Sequence, residues 1–311
     1  MNRTRALVST VAAITAALLA LTACTDASQN LGDSNTDAPA TGLTSKQGAD
    51  LSAVSRVDDI AALLPSNIAS AGRLVVGNNP EYAPMEFLAT DGQTPIGVDI
   101  DMMTAMATVL GLDVDIRSSS FDQIIPSVGS AFDIGMSAFT ITETRMQTVT
   151  MISYFKAGSQ YAVQTGNPYN IDPANLCGVI AGVQTNTVQH ESFLAMNDGD
   201  CADNPITIMP FDTQGAVTTN LIGGRIQVMD ADSPVSAWAV ELSDGQLEKL
   251  GDIRNAAPYG IVVSQDDTQL AEALRAALQH LMDNGIMSEI TQYWGVGDAV
   301  ITTAEINPTL G

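Results

Sequence analysis

The feature that most constrains this chain is a rhythm of short apolar segments and helix-length amphipathic segments that occurs twice. In the first stretch, residues 73–77 form an apolar run, residues 100–110 show helical spacing, and residues 112–116 alternate between apolar and polar. The rhythm restarts at residue 178. Strands separated by helices of about 10–15 residues are typical of βαβ units in a largely parallel sheet. The middle block, about 158–255, has its own complete set of elements, so we predict two α/β lobes.

Length, charge and hydropathy limit the class of protein further. The 311 residues are enough for two medium-sized lobes. Because 35 acidic residues oppose 12 basic ones, the net charge of −23 argues against nucleic acid or anionic lipid as a partner. No apolar run of about 20 residues follows the first 25 positions, which excludes an integral membrane body.

The N-terminus has the pattern of an export signal. Arg3 and Arg5 precede an apolar run over residues 6–20, and small residues then lead to Cys24. A cysteine directly after Leu-Thr-Ala resembles the bacterial lipoprotein box, which implies cleavage before Cys24 and acylation of that residue. We therefore predict a signal peptide over residues 1–23, a flexible polar tether over 24–50, and an exported protein held by lipid at the outer face of the cytoplasmic membrane.

The remaining cysteines predict a disulfide. In an exported chain, an even pair such as Cys177 and Cys201 is expected to be oxidised. The alternative, a metal site, would need two more ligands, and His190 is the only histidine in range. We expect no metal and no cofactor.

Polar side chains at two predicted strand ends are candidates for ligand binding. Thr140 and Arg145 follow a strand of the first lobe, and such a pair can cradle a carboxylate. Asp232 ends a strand of the second lobe. Each group has a plainer interpretation, because Thr142 can cap a helix that carries a surface arginine, and Asp232 or Ser233 can cap the next helix. Together, a cation on one lobe and an anion on the other favour a zwitterion held between them.

Other polar and aromatic residues are less informative. Tyr82 and Phe121 lie in loops after strands and suit either the core or an apolar sandwich around a ligand side chain. We expect Asp99 to cap a helix and Asp101 to lie on its solvated face, since positions i and i+2 point to different sides of a helix. The two histidines lie far apart, and no Gly-Xaa-Ser-Xaa-Gly motif occurs, so no catalytic residue is predicted.

Taken in order, the motifs resemble the family 3 extracellular solute-binding proteins, which are the polar amino-acid receptors of ABC importers. The resemblance covers roughly residues 70–297. The segments that carry it are Leu74-Val75-Val76-Gly77, Pro80-Glu81-Tyr82-Ala83-Pro84-Met85-Glu86-Phe87, Gly97-Val98-Asp99-Ile100-Asp101, Phe121-Asp122-Gln123-Ile124-Ile125-Pro126, Thr140-Ile141-Thr142 to Arg145, Gly182-Val183-Gln184, Gly224-Arg225, Ala231-Asp232-Ser233-Pro234 and Pro258-Tyr259-Gly260-Ile261.

The resemblance implies a two-lobed periplasmic-binding-protein type II fold, in which each lobe is a mostly parallel sheet flanked by helices. Lobe 1 would comprise residues 51–157 plus 256–311 and lobe 2 residues 158–255, joined by two hinge crossings. The implied ligand contacts are Arg145, Thr140 and Thr187 for the α-carboxylate, Asp232 and the Ala138 carbonyl for the α-ammonium, Tyr82 and Phe121 beside the side chain, and Asn79 and Gln184 at its polar end.

The same resemblance implies a function and leaves rivals open. The protein would be a monomer that delivers an amino acid to a membrane permease and would not be an enzyme. Family members often have Asp where Asn79 stands, and no second Arg lies in the matched segments that form the implied pocket, so we expect a neutral polar amino acid. The rivals are an enzyme similar to cyclohexadienyl dehydratases on the same fold, and a ligand-sensing lipoprotein that signals.

Overall fold

The computed structural model describes residues 46–310. The strands are β1 (Arg73–Asn78), β2 (Glu81–Tyr82), β3 (Glu86–Leu88), β4 (Pro95–Ile96), β5 (Asp113–Ser118), β6 (Ile134–Gly135), β7 (Thr150–Gln164), β8 (Ile180–Gln184), β9 (Thr207–Phe211), β10 (Val228–Asp232) and β11 (Leu247–Val263). The helices are α1 (Asp58–Ala61), α2 (Ser66–Ala71), α3 (Val98–Leu110), α4 (Phe121–Ser127), α5 (Glu143–Met146), α6 (Val188–Asp198), α7 (Gln214–Ile222), α8 (Ser233–Glu241), α9 (Thr268–Asp283) and α10 (Ile286–Trp294).

Part of the prediction for the N-terminus falls outside this range. The predicted signal peptide, Cys24 and residues 24–45 of the predicted tether lie outside the described residues. Of the remaining part, Ala49 donates its backbone N–H to Asp101 at 2.7 Å.

Two parallel strand triplets and two long crossing strands form the main sheet, whose strand order is β5-β1-β6-β11-β7-β10-β8-β9. In lobe 1, β1 pairs in parallel with β5 and β6. In lobe 2, β8 pairs in parallel with β9 and β10. The strands β7 and β11, of 15 and 17 residues, pair antiparallel and connect the two triplets. The predicted α/β fold with two lobes and two crossings is confirmed.

A small antiparallel sheet, β2-β3-β4, brings the segment after β1 to the border between the lobes. It contacts α3 of lobe 1 and α7 of lobe 2. On this side, the ring of Phe87 packs against Trp238 of α8 and Trp294 of α10, with centroids 5.7 and 5.6 Å apart. Apolar contacts therefore cross between the lobes beside the polar groups described below.

The prediction for the first turn of α3 is wrong. Gly97 is the N-cap of this helix, and the side chains of Asp99 and Asp101 are only 0% and 7% exposed. The helix is packed against β5, α9 and α10, so its first turn faces the interior. Both carboxylates bond to internal donors, and Asp101 accepts from Trp294 Nε1 at 2.7 Å. Amphipathic spacing could not indicate this, because α3 is buried on almost every side.

Lobe 2 contains the predicted disulfide. Cys177 and Cys201 are bonded, which closes a separation of 24 residues, and Cys201 is buried in the core with Val183 and Phe193. Within residues 46–310, no helix is both long and apolar enough to cross a membrane. The same residues contain no group of three or more side chains suited to hold a metal ion.

Candidate ligand-binding cleft

Eight of the nine predicted contact residues line one narrow cleft between the lobes. They are Tyr82, Phe121, Ala138, Thr140, Arg145, Gln184, Thr187 and Asp232. The ninth, Asn79, adjoins the cleft, because its Oδ1 accepts a hydrogen bond from Nε2 of Gln184 at 3.3 Å. The space between these side chains holds about one water molecule, so an amino acid would need the lobes to separate before it binds.

The cleft lies where parallel strands end. Ala138 and Thr140 follow β6 in lobe 1. Gln184 and Asp232 are the last residues of β8 and β10 in lobe 2. In open α/β sheets, ligands bind outside the carboxyl ends of the strands, and the pairing of β8 with β10 places those two ends side by side.

The backbone of α5 holds Arg145 at the wall of the cleft. Thr142 is the N-cap of this short helix, and its hydroxyl accepts the Arg145 N–H at 3.1 Å. The guanidinium donates from Nη1 to the carbonyl of Thr140 at 2.7 Å and from Nη2 to the carbonyl of Asn186 at 3.4 Å. A guanidinium has five N–H donors, so these two bonds leave others for a ligand carboxylate.

Two aromatic rings and several charges set the electrostatics of Arg145. Its guanidinium carbon lies 5.7 Å from the ring centre of Phe121 and 5.6 Å from that of Phe139. Burial lowers the pKa of Arg145, and the negative charges of Glu191 and Asp232 oppose that shift. Because a guanidinium ordinarily holds its proton far above neutral pH, Arg145 remains a cation in the cleft.

Asp232 is the anionic counterpart on lobe 2. Its Oδ2 accepts from the Tyr82 hydroxyl, and its Oδ1 accepts from Nε2 of Gln189, both at 2.9 Å. Burial raises the pKa of Asp232, while the hydrogen bonds from Tyr82 and Gln189 and the charge of Arg145 lower it. Those donors favour the carboxylate form, which is the form that can bind an ammonium group.

Asn79 and Gln184 contribute amides rather than carboxylates to the cleft. Nδ2 of Asn79 donates to the Ser119 carbonyl at 2.9 Å, which leaves Oδ1 turned toward Gln184. Gln184 Nε2 also lies 3.3 Å from the carbonyl of Asp212. A planar polar group placed here would meet uncharged acceptors and donors.

Two residues of the cleft were missed by the sequence analysis. Val188 and Gln189 line it from the first turn of α6. Gln189 donates both to Asp232 and to the hydroxyl of Ser159 on β7, each at 2.9 Å. The available signal was the N-cap Thr187, which follows the end of β8 after two residues, because the first turn of such a helix faces the same strand ends as the cap.

Known proteins similar to this chain include the following three. Arginine-binding protein ArgT of Corynebacterium glutamicum is 39% identical over 255 residues, which cover 81% of this chain and 83% of that protein. An ancestral arginine-binding protein, solved bound to glutamine, matches with a TM-score of 0.67 at 28% identity and covers 72% of this chain and 98% of that one. The ancestral amino acid-binding protein AncCDT-1, a precursor of cyclohexadienyl dehydratase, matches with a TM-score of 0.67 at 27% identity and covers 75% of this chain and 99% of that one.

The match to a protein family covers most of the chain. Residues 74–297 fit the family described as bacterial extracellular solute-binding proteins, family 3. This range contains β1 except Arg73, the whole of β2 to β11, and all the cleft residues named above. It agrees with the range of the resemblance seen in the sequence. The chain therefore belongs to the bacterial extracellular solute-binding proteins of family 3.

Proposed function

We propose that this protein binds a free amino acid between its two lobes and delivers it to the permease of an ABC importer. The observation that carries the proposal is the placement of Arg145 and Asp232, which line the same cleft from opposite lobes. A free amino acid offers a carboxylate and an ammonium group on one carbon. A fixed cation and a fixed anion on facing walls are complementary to that pair of charges.

The α-groups would be bound by the strand ends. The carboxylate would accept from Arg145 and from Thr140, with donors near Thr187 on lobe 2. The ammonium group would donate to Asp232 and to the Ala138 carbonyl. Burial strengthens such charge-assisted bonds, because the cleft excludes water once the lobes close.

Arginine is the ligand we favour. The relative that is 39% identical to this chain is an arginine-binding protein. A guanidinium can stack between Tyr82 and Phe121 and donate to Asn79 Oδ1. The amide-lined end also supports the neutral polar amino acid expected from the sequence, and glutamine is its representative, since an ancestral arginine-binding protein was solved with glutamine bound.

Closure of the lobes is the event that would signal occupancy to the permease. Lobe 1 (51–157 plus 256–311) and lobe 2 (158–255) would rotate about β7 and β11, whose pairing shifts register near Arg254. The contacts from Tyr82 to Asp232 and from Asn79 to Gln184 would form on closing. Acylation of Cys24 would hold the monomeric protein at the outer face of the membrane, close to its permease.

Isothermal titration of the purified protein with arginine, glutamine, lysine and histidine tests the proposal. We expect micromolar or tighter binding of arginine, and loss of at least about tenfold in affinity in Arg145→Ala. Arg117→Ala is the matched control, because Arg117 pairs with Asp115 on the exposed edge strand of the same lobe. Unchanged arginine binding in Arg145→Ala would show that Arg145 does not bind the α-carboxylate of the ligand.

Two further measurements separate this function from its rivals. Incubation with prephenate or arogenate should give no product, whereas turnover would identify a dehydratase-like enzyme. Cross-linking in intact cells should capture a permease. Capture of a membrane-bound signalling protein instead would identify a sensor.

A further inference from the structure

Two carboxyl groups are buried below the cleft, and neither is a proposed ligand contact. Glu86 lies on β3 and Asp99 in the first turn of α3, with 1% and 0% of their surfaces exposed. In the described part of the chain, no Lys or Arg forms an ion pair with either group. Two adjacent buried anions without a cation would be very unfavourable, so the pair requires an explanation.

Hydrogen bonds account for Asp99 fully and for Glu86 only in part. The Tyr154 hydroxyl lies 2.9 and 2.8 Å from the two oxygens of Asp99, and Oδ2 also accepts the N–H of Ala138 at 2.8 Å. Oε1 of Glu86 accepts from the Ser137 hydroxyl at 2.7 Å. Oε2 of Glu86 is buried and accepts no hydrogen bond. A proton on Glu86 would allow this side chain to donate a hydrogen bond to Asp99, with which it is in hydrogen-bonding contact.

We propose that Glu86 and Asp99 share one proton, carried by Glu86, and that together they are positioning residues for the cleft backbone at Ser137 and Ala138. The inference rests on the proposed function, because Ala138 and Asn79 are ligand contacts there. It adds the mechanism that holds both of them in place.

Ala138 needs such support. Its φ of 50° lies in the left-handed region, which is unfavourable for a residue with a side chain. The bond from its N–H to a carboxylate is stronger than one to a neutral acceptor and holds this conformation. The carbonyl proposed to meet the ligand ammonium belongs to this same residue.

Ser137 extends the support to Asn79. The Ser137 hydroxyl donates to Glu86 and accepts the backbone N–H of Asn79 at 3.1 Å. Glu86 therefore sets the direction of a hydroxyl group that orients Asn79 at the polar end of the cleft. The buried pair of carboxyl groups therefore positions two proposed ligand contacts, Ala138 and Asn79.

The surrounding charges favour a single proton. Burial, followed by the charge of Asp99, raises the pKa of Glu86 well above its ordinary value, and the charge of Asp232 adds to the shift. Burial raises the pKa of Asp99 to about 6, against hydrogen bonds from Ala138, Tyr154 and Glu86. The other titratable groups close to Glu86 are Tyr82 and Tyr154, whose own pKa values are raised by burial and by these carboxylates.

Infrared difference spectra of the wild-type protein against Glu86→Gln test the proton directly and need no ligand. At neutral pH we expect a carbonyl band of a protonated carboxylic acid in the wild type that is missing in Glu86→Gln. Its absence from the wild type would overturn the shared proton. This result is independent of the proposed function.

Arginine binding as a function of pH tests the positioning role. We expect Glu86→Ala to bind about tenfold more weakly and Glu86→Gln to recover most of that loss, because the amide can accept from Ser137 and donate to Asp99. Wild-type affinity should fall more steeply than that of Glu86→Gln at alkaline pH, where only Glu86 can lose the proton.

Asp101→Asn is the matched control. Asp101 is buried on the same helix, but it bonds to Ala49 and Trp294 and not to the cleft. The Asp101→Asn substitution should leave the affinity for arginine, and the dependence of that affinity on pH, unchanged. Equal weakening in Glu86→Gln and Glu86→Ala in folded proteins, or identical pH profiles of the wild type and Glu86→Gln, would overturn the positioning role. Absence of amino-acid binding by the wild type would instead remove the proposed function.

Discussion

The hydroxyl of Tyr82 on lobe 1 donates to Oδ2 of Asp232 on lobe 2 at 2.9 Å and also accepts the backbone N–H of Asp232 at 3.1 Å. The two residues lie 150 positions apart and meet only because β2 and the end of β10 face each other across the cleft. The contact ties the proposed ammonium site to the closed arrangement of the lobes. A ligand ammonium at Asp232 would join this pair of hydrogen bonds.

Removal of this hydroxyl should weaken the closed arrangement. Tyr82→Phe keeps the ring but deletes a hydrogen bond to a buried carboxylate, so we expect the free energy of unfolding to fall by about 1.5–3 kcal/mol. Urea unfolding measures this change, and small-angle scattering should show a larger radius of gyration. Tyr169→Phe, at an exposed position of lobe 2, is the control and should change neither quantity. A Tyr82→Phe protein as stable and as closed as the wild type would contradict the contact's role.

Ligand analogues can assign Arg145 and Asp232 to separate groups of the ligand. Agmatine is arginine without the carboxylate, and 5-guanidinovalerate is arginine without the amine. We expect Arg145→Ala to weaken arginine binding by at least about tenfold but agmatine binding very little, because the partner of Arg145 is already missing. Asp232→Asn should show the same behaviour toward 5-guanidinovalerate. Equal losses for arginine and its analogue in either variant, measured by titration calorimetry, would break that assignment.

The strand ends that carry these groups were predictable, and the contacts behind them were not. Arg145 and Asp232 follow apolar runs whose alternation with helices indicates a parallel sheet, and parallel strands end at a common edge. Glu86, Asp99 and Tyr154 have no such signal. They meet because α3 is buried by packing against neighbouring elements and because β7 brings Tyr154 to Asp99. These are tertiary relations that local periodicity does not encode.

The sequence predicted that the ligand side chain is polar but could not predict which amino acid is bound. The amides of Asn79 and Gln184 are visible in the sequence, but their contact across the lobes depends on how far the lobes close. Amide oxygens accept hydrogen bonds from a guanidinium as well as from a carboxamide. The residue types alone therefore could not choose between arginine and glutamine.

A carboxylate at position 79 should sharpen that choice. We expect Asn79→Asp to raise the ratio of arginine to glutamine affinity by about fivefold or more, since a charged acceptor favours a cation over a neutral amide. The bond to the Ser119 carbonyl is lost, so overall stability should drop at the same time. Titration of both ligands into the same variant makes glutamine the internal control. An unchanged ratio would place the ligand side chain away from Asn79.

Asp230, on β10, should make the stability of the protein depend on pH. It is buried beside Arg254 of β11, and their Oδ1 and Nη2 atoms are 2.8 Å apart. Burial raises the pKa of Asp230 to about 7, with a smaller upward contribution from Asp232, against the charge and hydrogen bond of Arg254. Tyr161, which accepts from Arg254 at 2.7 Å, is the other titratable group at this site. The native protein should therefore retain a proton that the unfolded chain releases near its ordinary pKa of about 4.

The sign of the effect follows from that difference in bound protons. Between about pH 4 and pH 7 the native state binds more protons than the unfolded state at this site, so the contribution of Asp230 to stability falls as the pH rises through this window. Asp230→Asn cannot titrate and should lack this decline. We expect the free energy of unfolding of the wild type, relative to Asp230→Asn, to decrease from pH 4 to pH 7 in urea melts at constant ionic strength. Parallel curves for the two proteins would show that the ion pair with Arg254 outweighs burial and keeps Asp230 ionised throughout the window.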